Sequence, residues 1–492
     1  QKGHNRRTID DRSAKFDLNW QLNRTHSLKT GFLYTHHTLN NKYSDIQNYY
    51  TYFPDSAGNY VEYEWEWVFE NDRMKIEFPY YQPVISPDSS VYSDIYKVYP
   101  TEFSAYIQDK MEFDEMVINF GIRYDYFDPN TYYPSQRRNP SNQSNEYLKD
   151  ENGNLIYDED GDVILDPDRM STYIKIDPKF QVSPRFGLSY QLGKTAVLHF
   201  SYGHFFQMPP MYALYQNHAF RVAPTDYETT MGNAQIKAEK TVSYEIGLWQ
   251  EIMDGMDIEV TLFYRDIYDL LSAKVISTFN QVEYGLYSNK DYGNVRGLEV
   301  KYDFVKDHFS AYVNYTLQYT RGNADNPVQT FNRAGENTDP ITRLIPMSWD
   351  QRHTFNVTVG YNTGKYGATL TGYYNSGTPY TWRPTQGILE RVTLFPNNTW
   401  ISTNYSVDLH SYYNVHISKN VKLKLTLSVY DLLDRLNEVW VNDQTGRAYT
   451  AIIRETNLLS HRSDFNEYKD IVQNPAMYSA PRLVKIGLGF TF

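Results

Sequence analysis

The strongest constraint on this chain is an alternation of apolar and polar residues that recurs along its length. In the segment "VKLKLTLSVY" the apolar residues from Val421 to Val429 alternate with lysine, threonine and serine. Successive side chains of a β-strand point to opposite faces, so this segment predicts a strand with one apolar and one polar face. The chain ends on the same pattern, "RLVKIGLGFTF", which places Phe490 and Phe492 on the apolar face.

The alternation recurs in too many segments for a small sheet, including "AKFDLNW", "MVINFGIRYDY", "SPRFGLSY", "MDIEVTLFY", "FSAYVNYTLQYT" and "HTFNVTVGY". Short connectors such as "NRTH" and "NTGK" alternate with long polar segments, at about 43–98, 129–180, 209–238, 322–350, 382–403 and 434–480. Outer-membrane barrels have long loops at one end and short turns at the other, whereas soluble sandwiches have shorter strands without this regularity. The sequence therefore predicts an all-β fold, a transmembrane antiparallel β-barrel, over residues 1–492.

The composition is consistent with spanning strands. The mean hydropathy is −0.63 and no run of 18 apolar residues occurs, which excludes membrane-spanning helices but not spanning strands. The chain contains 47 tyrosines, whose apolar ring and polar tip suit the boundary between hydrocarbon and water. The net charge of −12 argues against nucleic acid as a partner, and the absence of cysteine excludes disulfides and thiolate chemistry.

The number of strands indicates that the chain is part of a larger barrel. The alternating segments number about 15, whereas single-chain bacterial barrels have even strand numbers. Plugged outer-membrane transporters have 22 strands. We therefore expect a full protein of 22 strands, with the first strands (about seven) and an N-terminal plug upstream of this chain.

Several stretches occur in a characteristic order: "AYIQDKMEF" with "INFGIRYDYF", "SPRFGLSY" with "FSYGHFFQMPP", "AEKTVSYEIGLWQ", "YGNVRGLEVKYDF", "SWDQRHTFNVTVGY", "SGTPYT", "VYDLLDRLN" and "PRLVKIGLGFTF". Together they resemble the barrel of TonB-dependent outer-membrane receptors, in the broad group common among Bacteroidetes-type bacteria. The resemblance implies a receptor in the bacterial outer membrane that imports a scarce solute. It further implies that an inner-membrane TonB-type complex supplies the energy through a plug segment, and that Phe490 and Phe492 belong to a signal read by the barrel-assembly machinery.

Two other function classes remain open at the level of sequence. One is a passive porin, and the other is a surface binding or scaffold barrel that is partnered with a lipoprotein or an envelope complex. Catalysis is not expected, because the chain has no HExxH, P-loop or nucleophile-elbow motif. No cofactor is expected apart from a structural calcium ion, and the transported solute cannot be read from the sequence.

Two loop stretches are candidates for ligand contact. In "DENGNLIYDEDGDVILDPDR", a small internal repeat predicts a β-hairpin, and Asp158, Asp160 and Asp162 offer oxygen ligands that suit calcium. In "YVEYEWEWVFE" and "FQMPPMYALYQNHAF", aromatic side chains near the extracellular mouth could form the wall of a binding site. The residues proposed for that wall are Tyr63, Trp65, Trp67, Phe206 and Tyr212.

Overall fold

Fifteen long strands follow one another along the chain, and each pairs with the next in antiparallel register. The computed structural model describes residues 2–48, 52–54, 60–62, 67–70, 73–76, 83–336, 338, 340–341, 343–384, 395–418, 421–453, 470 and 472–491. The strands are β1 (Lys2–Gln21), β2 (His26–Asn48), β3 (Thr101–Glu112), β4 (Met116–Asp128), β5 (Lys179–Leu192), β6 (Ala196–Gln207), β7 (Glu239–Met253), β8 (Met256–Ser277), β9 (Glu283–Lys306), β10 (Phe309–Gly322), β11 (His353–Asn362), β12 (Tyr366–Asn375), β13 (Asn404–Ser418), β14 (Val421–Tyr430) and β15 (Leu483–Thr491). The all-β architecture and the count of about 15 strands are confirmed.

Shorter elements lie between these strands. The helices are α1 (Met211–Tyr215) and α2 (Gln329–Gly335), and a 3-10 turn covers Pro475–Met477. The short strands are Tyr52–Pro54, Tyr60–Glu62, Trp67–Glu70, Arg73–Ile76, Pro83–Ile85, Ser93–Val98, Tyr132–Pro134, Tyr173–Lys175, Thr230–Met231, Ile345–Pro346, Pro379–Tyr380 and Thr399–Trp400. No helix in the described ranges is long and apolar enough to span a bilayer.

The register keeps one apolar face continuous across the sheet. Leu427 lies opposite Ile486, and Leu425 lies opposite Leu488, so β14 and β15 present their apolar side chains on the same side. We call this side the outer face and the opposite side the inner face. Ile486 is 80% exposed, which for an isoleucine indicates a surface in contact with lipid.

Aromatic residues mark both edges of the outer apolar band. Phe309 and Tyr361 are in contact at one edge, with ring centroids 4.7 Å apart. Tyr319 lies at the other edge, ten residues beyond Phe309 on β10. At about 3.3 Å per residue and a strand tilt of about 40°, ten residues span about 25 Å, the height of the apolar band of an outer-membrane barrel.

Short turns connect the strands at the end near Phe309, and long segments connect them at the other, extracellular end. Several strands also continue far beyond the band. β8 and β9 are 22 and 24 residues long, and only residues 278–282 separate them, so a paired hairpin forms this projection. Among the described residues β1 pairs only with β2, and β15 only with β14.

The largest buried core lies at the extracellular end, not within the membrane band. It combines apolar side chains from β2, β4, β8, β9 and α2 with side chains from the segment that connects β6 to β7. Its fully buried members include Phe127, Ala273 and Phe331, each 1% exposed. The long connecting segments are therefore folded parts of the structure.

Candidate functional site

The segment at residues 208–238, which we call the mouth segment, folds over the inner face at the extracellular end. It contains α1, whose residues Ala213, Leu214 and Tyr215 are buried in the extracellular core. A short parallel pairing of Thr230–Met231 with β9 anchors its second half. The mouth segment thereby covers part of the opening that the strands would otherwise leave.

Tyr215 fixes the mouth segment from the side of β4. Its hydroxyl donates a hydrogen bond of 2.8 Å to the carbonyl oxygen of Pro129, just beyond the end of β4. Its ring packs against Tyr96, with the centroids 6.0 Å apart. Burial raises the pKa of Tyr215 well above its usual range, so the hydroxyl stays a hydrogen-bond donor.

Lys179 fixes the mouth segment from the side of β5. Its ammonium group donates to the carbonyl oxygens of Ala234, at 2.6 Å, and Ile236. Burial lowers the pKa of Lys179 to about 8, because the charged form loses hydration. The two anchors lie at opposite ends of the mouth segment and hold it against the strands.

A polar cavity of about 370 Å³ lies between the mouth segment and the ends of β1 and β2. Four stretches of chain line it: inner-face residues of β1, inner-face residues of β2, residues within 91–96, and the mouth segment. The residues that define its chemistry are Arg7, Asn41, Tyr43, Asp45, Asp94, Tyr96, Tyr212, Gln216 and Glu228. The register explains part of this grouping, since Arg7 pairs with Asn41 and Tyr43 pairs with Asp94.

Hydrogen bonds organise one wall of the cavity. The Nε atom of Arg7 donates to the side-chain oxygen of Asn41 at 3.2 Å. The side-chain amide of Asn41 in turn donates to the backbone oxygen of Asp94 at 2.9 Å. Asn41 is 1% exposed, so this relay is rigid and leaves the other nitrogens of the Arg7 guanidinium for a ligand.

The cavity is acidic despite Arg7. Asp45, Asp94 and Glu228 supply three carboxylates. Burial raises the pKa of Asp94, an effect opposed by nearby backbone amides of residues 217 and 218 and by Arg7. Asp45 is 6% exposed, and its Oδ1 atom has no hydrogen-bond partner among the described residues. Unpaired buried carboxylate oxygens are rare and favour a cationic or hydrogen-bonding ligand.

Only part of the proposed aromatic wall lies at this cavity. Tyr212 lines the cavity, and its ring is 5.8 Å from that of Tyr287. Phe206 lies on the outer face of β6, opposite Lys240, and is not a lining residue. Trp67 belongs to a short strand paired with Arg73–Ile76, whereas Tyr63 and Trp65 lie outside the described residues.

The aspartate repeat forms two consecutive tight turns in the extracellular segment at 129–178. The Oδ1 atom of Asp158 accepts hydrogen bonds from the backbone amides of Asp160, at 3.0 Å, and Asp162, at 2.8 Å. Asp150 does the same for Asn152 and Asn154. The hairpin is confirmed by the bridge between Tyr157 and Val163. The carboxylate of Asp158 thus has a structural role in the turn, and the calcium hypothesis stays a prediction.

Metal-binding clusters do not appear in the described part of the chain. Across those ranges, no three side chains of His, Cys, Asp or Glu are grouped so that they could hold a metal ion. The three carboxylates that line the cavity do not form such a group. Phe490 lies on the outer face opposite Leu423, and Phe492 lies outside the described residues.

The fold and the arrangement of loops can now be compared with known proteins. Residues 1–432 match the family model described as TonB dependent receptor-like, beta-barrel. The chain belongs to the TonB-dependent receptor family. No curated protein matches it in sequence. Its place in this family assigns it to the outer membrane.

Solved structures of TonB-dependent proteins share the fold at low sequence identity. The copper transporter OprC aligns with a TM-score of 0.53 and 12% identity over 99% of this chain and 57% of its own. The ferric-catecholate import receptor Fiu from E. coli K12, in its closed form, gives 0.50 and 14% over 99% and 54%. The unliganded ferric citrate transporter FecA gives 0.51 and 11% over 99% and 55%. The chain therefore spans little more than half the length of these structures.

Proposed function

We propose that this chain forms the wall and extracellular mouth of a receptor that imports a scarce solute across the outer membrane. The proposal rests on the docked mouth segment, which forms one wall of a polar cavity at the ends of β1 and β2. A cavity with a fixed hydrogen-bond relay suits capture of a dilute solute, because the groups that bind it are already in place. The family resemblance supports energy supply from an inner-membrane TonB-type complex through a plug.

The composition of the cavity favours a particular cargo chemistry. Three carboxylates and one guanidinium line the cavity, together with tyrosine and amide groups. We propose that the cargo carries an amine or another cationic group together with hydroxyl or carbonyl oxygens, so that Asp45 and Asp94 bind the cation and Arg7 binds an oxygen. Membership in the Bacteroidetes-type branch remains a prediction. The barrel-assembly machinery and a lipoprotein lid remain predicted partners.

Import can be tested without knowing the cargo. Cells that carry or lack the full-length receptor are grown in the same complex medium, and solutes removed from the medium are compared by mass spectrometry, with and without a protonophore. We expect a set of amine-containing solutes to be depleted only in receptor-bearing, energised cells. Depletion that persists with the protonophore would indicate a passive porin, and no depletion at all would favour a scaffold.

The role of the cavity is tested by Asp94→Asn in the same assay. The substitution keeps the size of the side chain and removes its charge, so we expect uptake at low solute concentration to fall about tenfold or more. Asp88→Asn is a matched control, because Asp88 is an exposed extracellular residue that pairs with Lys42 at 3.0 Å outside the cavity. Equal uptake by both variants would reject the cavity as the capture site.

A further inference from the structure

The outer face of β6 to β10 is arranged in rows that follow the strand register. One row is aliphatic apart from Phe200, and the next row toward the extracellular ends of the strands is aromatic apart from Arg296. The lower row is Phe200, Ile246, Leu262, Leu298 and Leu317, and the upper row is Tyr202, Tyr244, Tyr264, Arg296 and Tyr319. The polar tips of the upper row suit the border between hydrocarbon and headgroups.

An apolar groove of about 450 Å³ opens on this outer face. It is lined by the lower row and by the rings of Tyr244, Tyr264 and Tyr319. Leu262 is one of its lining residues and is 54% exposed. Since the groove faces the bilayer, its natural occupant is a hydrocarbon chain and not water.

Cationic side chains stand at the upper end of the groove. Arg296 lines the groove, lies over the Tyr319 ring at 5.9 Å, and has no ion-pair partner among the residues the structure describes. Arg352 lies over the same ring at 5.3 Å and over Trp400 at 4.5 Å. Arg321 follows Tyr319 on the outer face of β10 and is paired with Asn294.

The acidic groups nearby are already engaged. Asp350, which is fully buried, accepts a hydrogen bond of 2.8 Å from the amide of Thr320 and lies 3.7 Å from Arg352. Asp266 accepts hydrogen bonds from the hydroxyls of Tyr264, at 2.9 Å, and Tyr292. Glu245, which also lines the groove, is paired with Arg265 at 2.9 Å. Three arginines, Arg296, Arg321 and Arg352, thus stand against two carboxylates, Asp266 and Asp350. The upper end of the groove therefore keeps one positive charge in excess on a chain whose net charge is −12.

We propose that this groove is a specific site for an anionic phosphorylated lipid of the outer leaflet. One acyl chain occupies the groove between Leu262 and Leu298, and a headgroup phosphate is bound by Arg296 with help from Arg321. An arginine at the edge of the lipid face is costly without an anionic partner, and phosphate is the anion that a membrane supplies at this depth. The site is independent of the cargo cavity, which lies on the inner face.

The test uses the full-length receptor, delipidated in detergent, and native mass spectrometry with two probes. The first probe is lipid A, a diphosphorylated and acylated glucosamine disaccharide, and the second is the same lipid after enzymatic removal of its phosphates. Arg296→Gln removes the proposed phosphate contact, and Leu298→Trp fills the groove. Arg12→Gln is the matched control, because Arg12 lies on the outer face of β1, 81% exposed, away from the groove.

We expect the wild type and Arg12→Gln to retain one lipid A molecule more tightly than its dephosphorylated form. Arg296→Gln should weaken binding of lipid A about tenfold and leave the dephosphorylated lipid unchanged, whereas Leu298→Trp should weaken both. The heat-dependent shift of a folded barrel on gels confirms that each variant is folded. Equal retention of the two lipids by the wild type, or lipid A binding that neither groove variant alters, would overturn the proposal.

Discussion

The hydroxyl of Tyr215 should control how often the mouth segment opens. Tyr215→Phe removes the hydrogen bond to Pro129 but keeps the ring, which is 1% exposed, against Tyr96. Pro129 is fully buried, so its carbonyl oxygen then loses its partner, which costs about 1–3 kcal/mol. The free energy of opening the mouth segment should fall by that amount, while the membrane band is unaffected because no strand hydrogen bond is lost.

Hydrogen exchange of the full-length receptor in detergent measures this opening directly. At about 1.4 kcal/mol per factor of ten, protection of amides in residues 211–236 should fall about 5- to 150-fold, with little change in β10 to β14. Tyr132→Phe is the matched control, because its ring is 53% exposed and its hydroxyl has no hydrogen bond within the described ranges. Unchanged protection of 211–236 in Tyr215→Phe, or a uniform loss across all strands, would refute the anchor.

Four further expectations concern single positions. Burial lowers the pKa of Lys179 to about 8, so between about pH 8 and 10.5 the unfolded chain binds a proton that the folded chain lacks. Stability should therefore rise with pH in this range by at most about 3 kcal/mol, and thermal melts of Lys179→Met should lack this rise. A Cβ atom at Gly297 would overlap the carbonyl oxygen of Leu317, so Gly297→Ala should reduce the amount of folded barrel, measured by its heat-dependent shift on gels. Gly187→Ala is the control and should not reduce it, because a Cβ atom there makes only ordinary contacts. Deletion of Phe492 should lower the amount of receptor in the outer membrane, and normal accumulation would contradict its role in assembly. If calcium binds the aspartate repeat, added Ca²⁺ should protect the hairpin from proteolysis, and Asp162→Asn should abolish this protection. Identical cleavage with and without Ca²⁺ would reject the site.

The membrane band was readable from sequence because lipid imposes a strict period of two. The segment from Val421 to Tyr430 appears as β14 with the same bounds. Beyond the band lipid no longer dictates which face of a strand is apolar, so the strict alternation is lost. The end of β2, which pairs with Ser93–Val98, was therefore not distinguished from a loop.

The cavity was hidden for a different physical reason. Arg7, Asn41 and Asp94 are ordinary polar residues on strands, and only the register brings them together. Likewise the partners of Leu214 and Tyr215 come from strands far away in sequence, so nothing local marked these residues as buried. Among the predicted contacts that the structure describes, Tyr212 lines the cavity, and it was found through the aromatic content of its segment.

The extracellular core joins residues as far apart in sequence as Leu39 and Phe331. Contacts of such long sequence separation form slowly, because most of the chain must be ordered before they can be made. The strands must therefore pair before the mouth segment has a surface to dock on, and the cavity is the last part of the barrel to exist. If the cavity binds cargo as proposed, binding of cargo should accordingly report completed assembly.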